Sequence, residues 1–287
     1  MHYDYVEEFA FAKLNLTFKI LNKLPNKFHQ IESYITFLPN VYDRLIIKKD
    51  LKNKIFINGH FANQLRESGG DTLIKKSIKI LSELLNFNIY LKINLMKNIP
   101  LSSGLGGGSA DAAAVIRAII KLYNVKNKSL IINNLSKIGS DLPACFLSKN
   151  IQANGTGNII KPVKLLNKKL WVLLIKPKSN YSTKYIFNNF NDNYAQPTKF
   201  IFTLDNLIDD MNKYNNSLEK TVCKLEKNVK KLLSTLPKLR SLTLPRITGS
   251  GSTIFILFKT KKDLIGYQNI LKFNKKDYWI KSSYIKL

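Results

Sequence analysis

The chain has 287 residues, 45% of them hydrophobic, and carries 46 basic but only 19 acidic side chains, for a formal charge of +27. Its length and apolar content exclude a disordered chain and predict one large domain or two medium ones. The apolar runs are far shorter than the roughly 20 residues of a membrane span, and the N-terminus with Glu7 and Glu8 lacks a signal-peptide pattern, which predicts a cytoplasmic protein without a membrane partner.

The N-terminal half combines strand and helix patterns. Alternating or β-branched runs predict strands at Phe9 to Leu21, Ile31 to Phe37, Arg44 to Lys49, Lys54 to Asn58 and Asn88 to Met96. Apolar residues at helical spacing predict helices at Thr72 to Leu85, Ser109 to Tyr123 and Leu130 to Ile138. A glycine-rich loop separates the last of these strands from the second helix, so this half belongs to the α+β class.

The C-terminal half begins near a turn at Ala153 to Gly157. It contains predicted strands at Leu170 to Lys176, Thr253 to Phe258 and Tyr278 to Lys286. Predicted helices cover Thr203 to Tyr214, Leu218 to Leu236 and Lys261 to Phe273. We therefore expect a two-domain α+β chain divided near residue 155. Cys145 and Cys223 have no metal-ligand spacing and are expected in the core.

The most informative segment is Pro100-Leu-Ser-Ser-Gly-Leu-Gly-Gly-Gly-Ser-Ala-Asp111, which joins a predicted strand to a helix. Glycines let backbone N–H groups point at a phosphate, and the following helix adds its unpaired N–H groups and positive dipole end. No Gly-Lys-Ser/Thr follows, which excludes a Walker-A loop. One alternative is a flexible turn. The predicted ATP-binding residues are Pro100, Leu101, Ser102, Ser103, Gly104, Leu105, Gly106, Gly107, Gly108, Ser109 and Ala110.

Three further blocks accompany the loop: Ala12-Lys-Leu-Asn-Leu16, Gly139-Ser-Asp-Leu-Pro143 and Thr248-Gly-Ser-Gly-Ser252. With these four blocks in this order, essentially the full chain resembles the GHMP kinase superfamily of galactokinase, homoserine, mevalonate and phosphomevalonate kinases. The resemblance implies a ribosomal-protein-like nucleotide-binding domain over residues 1–155 and a smaller α+β domain over residues 156–287. It also implies an active site in the cleft between them.

The triple glycine and the Lys-Leu-Asn start distinguish the chain from homoserine and mevalonate kinases, whose loops usually read Gly-Leu-Gly-Ser-Ser. It is most similar to the branch that acts on 4-diphosphocytidyl-2-C-methyl-D-erythritol. The implied reaction is ATP-dependent phosphorylation of the 2-hydroxyl, giving the 2-phosphate and ADP in non-mevalonate isoprenoid biosynthesis.

Phosphoryl transfer requires a group that takes or orients the proton of the acceptor hydroxyl. The resemblance implies that Asp141 is this base and that Lys13 keeps it ionised. An Asp after Gly-Ser also serves commonly as a helix cap or turn residue. Lys97 stands where the family has a basic residue near the nucleotide.

Substrate contacts are implied for Asn15, on the same face of a strand as Lys13. Phe28 and His29 stand where the resembling kinases stack an aromatic ring on cytosine and hydrogen-bond its edge. Phe187 is the candidate for the other side of the base, in competition with Tyr185. Gly249 and Gly251 are expected to form a second glycine loop that closes on the phosphates or on the sugar-like substrate.

One departure concerns Thr72, which replaces the Asn that the family often places near adenine. Mg²⁺ is expected to accompany ATP, but no carboxylate cluster in the sequence indicates a protein metal ligand.

Two other functions stay open. One is a kinase for homoserine, mevalonate or a sugar, and the other is an RNA-binding protein, motivated by the charge. The basic residues are spread along the chain, and only five are arginines. The excess of basic residues reflects either an AT-rich coding bias or selection for function. In both cases the electric field of the positive charge attracts anionic substrates. We expect a small-molecule kinase without a nucleic-acid partner, either monomeric or a homodimer.

Overall fold

The fold is taken from a computed structural model, which describes residues 4–163, 168–179, 181–190, 193–198, 203–238, 241–271 and 275–287. Its contacts define two compact units. The first comprises the chain up to Lys13, Val41–Leu101 and Gly106–Ser148. The second comprises Leu14–Asn40, Ser102–Leu105 and Lys149–Leu287. The predicted domain boundary at residue 155 stays a prediction, because these units are assembled from interleaved segments.

The N-terminal half contains, in chain order, β1 (Val6–Lys23), β2 (His29–Lys49), β3 (Lys54–Asn58), α1 (Ala62–Glu67), α2 (Thr72–Leu85), β4 (Leu91–Met96), α3 (Gly107–Leu122), α4 (Lys128–Ile132), α5 (Leu135–Ile138) and α6 (Leu142–Leu147). The C-terminal half contains β5 (Ile151–Gly155), β6 (Ile159–Pro162), β7 (Lys169–Pro177), α7 (Thr183–Asn188), α8 (Leu204–Lys213), α9 (Glu219–Leu225), α10 (Lys227–Thr235), β8 (Arg246–Ile247), β9 (Ile254–Phe258), α11 (Lys261–Asn269) and β10 (Tyr278–Lys286).

Strand β1 is buried on both faces over residues 12–20, but the two faces differ in chemistry. One face is apolar and includes Leu14 and Leu16, both fully buried. The other carries polar residues at every second position, all at most 5% exposed: Lys13, Asn15, Thr17 and Lys19. Successive side chains of a strand point to opposite faces. One strand therefore supplies both core packing and a row of buried polar groups.

Strand β2 is continuous, so the prediction of two separate strands at Ile31 to Phe37 and Arg44 to Lys49 is wrong. The N-terminal part of β2 pairs antiparallel with β5, and its C-terminal part pairs antiparallel with β4. Pro39 lies between these two ladders, where its missing N–H is tolerated. A proline inside the run thus marks a change of pairing partner and not the end of the strand.

In the first unit, β3 pairs parallel with β4 and α3 packs against α2 and α6. The alanines Ala112, Ala113 and Ala114 are fully buried, which is the close packing that small side chains allow. The predicted helix at Leu130 to Ile138 is wrong as one element, because Asn133 and Asn134 separate α4 from α5. Asparagine side chains compete with helical backbone hydrogen bonds.

In the second unit, β5 and β6 form an antiparallel hairpin. The predicted turn at Ala153 to Gly157 is therefore partly wrong, because Gly155 still belongs to β5. A second sheet has the strand order β10-β7-β9-β8, entirely antiparallel. The predicted helix at Leu218 to Leu236 is also wrong as one element, because Glu226 is extended and separates α9 from α10.

Strands β7, β9 and β10 match the predicted segments within a residue or two at each end. Helix α11 ends at Asn269, and the predicted end at Phe273 lies outside the described residues. Cys145 is buried as expected, whereas Cys223 is only half-buried. Among the described residues, no helix has the length and hydropathy needed to cross a membrane.

Candidate active site

The glycine-rich loop ends at the N-terminus of α3. Gly106 is the N-cap, and the first helical hydrogen bond runs from the Ala110 N–H to the Gly106 carbonyl at 2.9 Å. The N–H groups of Gly107, Gly108 and Ser109 precede that bond and have no intrahelical acceptor. These three residues are exposed or half-buried. The helix end is therefore open to an anionic group.

Gly106 also fixes the distance between the loop and Lys13. Its φ of +67° lies in the left-handed region that glycine favours, and a Cβ atom there would lie 2.7 Å from Lys13 Cγ. The stem of Lys13 thus packs directly under the loop. Several other predicted ATP-binding residues are buried, and their contact with ATP stays a prediction: Pro100, Ser103, Leu105 and Ala110.

Lys13 and Asp141 are brought together in the first unit. Lys13 Nζ lies 3.4 Å from Asp141 Oδ2, and the side chains are 6% and 39% exposed. Asp141 occupies the N-cap position of α6, yet its side chain makes no capping hydrogen bond. The pair therefore consists of a buried ammonium and a carboxylate that solvent and ligands can reach.

Lys97 is enclosed by carboxylates. Its Nζ lies 2.6 Å from Asp43 Oδ2 and 2.5 Å from Asp111 Oδ2, and all three side chains are at most 3% exposed. Burial alone would lower the pKa of Lys97, but the charges of Asp111 and Asp43 outweigh it and raise the pKa. Burial, with the charge of Asp43, raises the pKa of Asp111 well above its usual range. The predicted contact between Lys97 and ATP stays a prediction, and its burial does not favour it.

The two glycine loops meet in the second unit. Thr253 N–H donates to the Ser103 carbonyl, and Ser252 Oγ donates to the Ser102 carbonyl, both at 3.2 Å. Gly104 lies so close that an added Cβ would come within 2.8 Å of the Gly251 carbonyl oxygen.

The predicted second loop is thus a tight turn. Its Gly251 N–H donates to the Thr248 carbonyl at 2.9 Å, and Asn216 Nδ2 donates to the Gly249 carbonyl at 2.7 Å.

Asn15 is held on two sides. Its backbone N–H donates to Thr248 Oγ1 at 2.9 Å, and its Nδ2 donates to Ser33 Oγ at 2.7 Å. The side chain is therefore oriented by Ser33, while its backbone is joined to the second glycine loop. Its contact with substrate stays a prediction.

His29 stands in an aromatic cluster. Its ring centroid lies 5.4 Å from that of Phe187 and 5.7 Å from that of Phe190. Phe187 also contacts Phe18, at 6.2 Å. Phe28 is 61% exposed. A half-buried imidazole beside aromatic rings, next to an exposed phenyl ring, suits a planar polar base.

Of the two competing candidates, Phe187 lies against His29, whereas Tyr185 is 48% exposed. The two residues are two apart on α7, so they leave the helix in nearly opposite directions. Phe190 was not predicted, and Asp43 was not predicted either. For Phe190, the sequence offers one signal: it is an aromatic residue shortly after Phe187.

Thr72 is exposed at the first position of α2, whose N-cap Asp71 accepts the Ile74 N–H at 2.8 Å. Among the described residues, no group of three or more His, Cys, Asp or Glu side chains is arranged to hold a metal ion.

Comparisons with known proteins identify the family of this chain. The family of GHMP kinases N terminal domains matches residues 72–149. The 4-diphosphocytidyl-2-C-methyl-D-erythritol kinase of Ehrlichia canis strain Jake is 32% identical over 251 residues, which cover 86% of this chain and 87% of that protein. The protein of the same name from Rhodospirillum rubrum is 28% identical over 259 residues, which cover 89% and 84%.

Solved structures confirm the predicted GHMP kinase fold of the α+β class. A crystal structure of 4-(cytidine 5'-diphospho)-2C-methyl-D-erythritol kinase superposes with a TM-score of 0.77 at 22% identity, over 98% of this chain and all of that one. The homoserine kinase of Cytophaga hutchinsonii gives 0.66 at 18% identity, over 100% of this chain and 96% of the other. Sequence identity over most of both chains shows that this protein belongs to the 4-diphosphocytidyl-2-C-methyl-D-erythritol kinase family, a branch of the GHMP kinases.

Proposed function

We propose that this protein transfers the γ-phosphoryl group of ATP to the 2-hydroxyl of 4-diphosphocytidyl-2-C-methyl-D-erythritol, in non-mevalonate isoprenoid biosynthesis. The observation that carries the proposal is the Lys13–Asp141 pair, with Nζ and Oδ2 3.4 Å apart and the stem of Lys13 packed beneath Gly106. A base, a cation and a phosphate-binding helix end are thereby grouped within one unit. Family membership supplies the identity of the acceptor.

In the reaction, Asp141 accepts the proton of the 2-hydroxyl while the hydroxyl oxygen attacks the γ-phosphorus of ATP. The bond between the γ-phosphorus and its bridging oxygen breaks, and ADP leaves with that oxygen. Lys13 places its positive charge beside this carboxylate and helps to orient the hydroxyl. The N–H groups at the start of α3 bind phosphate oxygens and stabilise the negative charge on them.

The cytosine end of the substrate is assigned to Phe28, His29 and Phe187. His29 has hydrogen-bonding nitrogens for the edge of the base, and the two phenyl rings offer stacking faces. Asn15 is assigned to the methylerythritol portion, because its buried amide is already oriented by Ser33. Gly249 and Gly251 are assigned to the closing of the second loop on the substrate.

Mg²⁺ is proposed to enter with ATP and to take phosphate oxygens as its main ligands, which neutralises part of their charge. The described residues do not provide a cage for it, and we assign no protein ligand. A cytoplasmic location and a monomeric or homodimeric state stay predictions.

The direct test measures ADP formation by purified protein with Mg²⁺, ATP and one acceptor at a time. The acceptors are 4-diphosphocytidyl-2-C-methyl-D-erythritol, homoserine, mevalonate and galactose. Turnover confined to the cytidylyl substrate is expected. Turnover with another acceptor would keep the kinase and change its specificity, while no turnover together with tight RNA binding at physiological salt would favour the nucleic-acid alternative.

A Phe28→Ala variant tests the base assignment in the same assay. Loss of a stacking face costs about 1 kcal/mol, so the KM for the cytidylyl acceptor should rise while the KM for ATP stays constant. A parallel rise in both KM values would contradict the assignment.

A further inference from the structure

Both ends of the glycine loop approach one buried ammonium group. At the incoming end, the N–H groups of Asn98 and Ile99 donate to Asp43 Oδ1 at 2.5 and 2.8 Å. The other oxygen of this carboxylate accepts from Lys97 Nζ at 2.6 Å. Asp43 thus contacts the start of the loop with one oxygen and the lysine with the other.

At the outgoing end, the same ammonium contacts helix α3. Lys97 Nζ donates to Asp111 Oδ2 at 2.5 Å, and a Cβ atom added at Gly107 would lie 3.1 Å from Nζ. The backbone of Lys97 is fixed as well, because its N–H donates to the Asn58 carbonyl at 2.6 Å and its carbonyl accepts the Phe61 N–H at 3.0 Å. The cation therefore has little freedom to move.

We propose that Asp43, Lys97 and Asp111 form a clamp that holds the two ends of the glycine loop in the conformation that binds ATP, with Asp43 and Asp111 as positioning residues. The proposal rests on the proposed function of the loop as the ATP site. It assigns no contact with ATP to either aspartate, since both side chains are fully buried.

The physical need for a clamp follows from the loop's composition. Glycine-rich segments lose much conformational entropy when they become ordered. A loop that is already ordered before the ligand arrives binds with a smaller loss of entropy. Charge-assisted hydrogen bonds are also stronger than neutral ones, and in a buried setting they are little screened by salt.

The charged groups of the clamp also indicate what each aspartate contributes. The charge of Asp71 contributes to the raised pKa of Asp111, after the larger effects of burial and of Asp43. Asp111 Oδ1 has no hydrogen-bond partner among the described residues. Removal of the Asp111 carboxyl therefore leaves Lys97 paired with Asp43, whereas removal of the Asp43 charge breaks the ion pair that joins Lys97 to the incoming end.

The test compares Asp43→Asn with the wild type in steady-state kinetics, thermal unfolding and hydrogen exchange. Asparagine keeps an oxygen for the two loop N–H groups but presents an amide in place of a charge to Lys97. We expect the KM for ATP to rise about ten-fold, which corresponds to about 1.4 kcal/mol. The kcat and the acceptor KM should change less than about two-fold. The amides of Asn98, Ile99 and Ala110, all hydrogen-bonded in the wild type, should exchange faster.

Asp210→Asn is the matched control. Asp210 Oδ1 accepts from Lys19 Nζ at 2.8 Å in the second unit, and both side chains are buried. This variant should lower the unfolding temperature as Asp43→Asn does but leave the KM for ATP unchanged. If Asp43→Asn lowers only the unfolding temperature and leaves the KM for ATP unchanged, the pair is merely structural and the clamp proposal is wrong.

Asp111→Ala decides the matter if Asp43→Asn does not fold, because it leaves a balanced Lys97–Asp43 pair. It should release the outgoing end, with a higher KM for ATP and faster exchange at Ala110, whose N–H makes the first hydrogen bond of α3. An unchanged KM and exchange rate would overturn the proposal. The proposed function can fail on its own. In that case the wild type shows no turnover with the cytidylyl acceptor, but these variants still increase hydrogen exchange at the ends of the loop.

Discussion

Asp141 stands where a helix normally places a capping residue, but its carboxylate is used differently. Such a residue usually accepts a hydrogen bond from the N–H groups of the first turn. Asp141 makes no such bond and instead faces Lys13, with 39% of its side chain exposed. Of the two roles that the sequence allowed, helix cap or acid-base residue, the geometry favours the second.

Asp141→Asn should lower kcat about 10²- to 10⁴-fold, the usual contribution of a general base. The amide cannot take the hydroxyl proton, but it keeps the size of the side chain. The KM for ATP should change little, because the loop is untouched. Asp209→Asn, exposed on α8, is the control, and normal turnover by Asp141→Asn would refute the mechanism.

Lys176 is a second unusual residue, outside the proposed chemistry. It is 7% exposed, and its Nζ donates to the carbonyls of Pro177 and Ser179 at 3.3 and 3.2 Å. Burial lowers the pKa of Lys176 from 10.5 to about 8, against a smaller opposing effect of Glu226. The folded state therefore releases this proton at lower pH than the unfolded state does.

Between pH 8 and 10.5 the unfolded chain thus binds more protons at Lys176 than the folded chain, so the free energy of unfolding gains a contribution that rises with pH. Below pH 8 that contribution is lost. Lys176→Met should remove this slope and be more stable than the wild type at pH 7 by about 3 kcal/mol, the value of a shift from 10.5 to about 8. Urea unfolding across this range measures it, with exposed Lys178→Met as control. A slope equal to that of the wild type would contradict the shift.

At the scale of elements, the glycine that precedes α3 serves both the start of that helix and the packing of β1 against it. Gly106 needs positive φ for the turn into α3, and it needs a hydrogen in place of Cβ because Lys13 packs against it. These are two separate requirements. One concerns the backbone and the other concerns the neighbouring strand.

Gly106→Ala should therefore lower the free energy of unfolding by more than backbone strain alone would. Gly70 has φ +76°, and a Cβ added there would have no atom within 4 Å, so Gly70→Ala should cost about 1 kcal/mol and keep full activity. Gly106→Ala should lose more stability and lower kcat/KM for ATP about 10²-fold, since displacing Lys13 by about 1 Å misplaces the reacting groups. Equal effects of the two substitutions on unfolding and kinetics would show that the contact with Lys13 is unimportant.

Elements with a clear local period were predictable from the sequence. Helix α2 and strand β3 have the predicted bounds, because their apolar residues repeat at helical or strand spacing. The break at Glu226 was not predictable, since neither Gly nor Pro marks it. The short helices α6 and α7 were missed because each has only six residues, too few to establish a period.

The candidate site divides in the same way. Contiguous motifs around Gly106, Asp141 and Gly249 were found because each function lies within a few residues of sequence. Asp43 was missed, because its partners Asn98 and Ile99 are more than fifty positions away and no local pattern records the pairing. Lys97 was assigned to the nucleotide because it lies next to the phosphate loop, and that contact stays a prediction. The two carboxylates that its burial requires were not visible in the local sequence.

For the whole molecule, the formal charge of +27 outweighs any local arrangement of charged groups at long range. Both ATP and the cytidylyl acceptor are anions, so this field raises their concentration near the protein. The interaction is screened beyond about 8 Å at physiological salt. The charge therefore acts on encounter and binding of the two anions.

Raising NaCl should accordingly increase the KM for ATP and for the acceptor while kcat stays nearly constant, because screening weakens binding and leaves the reaction step alone. Charge reversal at exposed Lys227, Lys230 and Lys231 on α10 should reduce this salt dependence without changing kcat. Asn228→Ser on the same helix is the neutral control. A polyuridine competitor should inhibit at low salt only; inhibition that persists at physiological salt would indicate a specific RNA site and give the charge a function of its own.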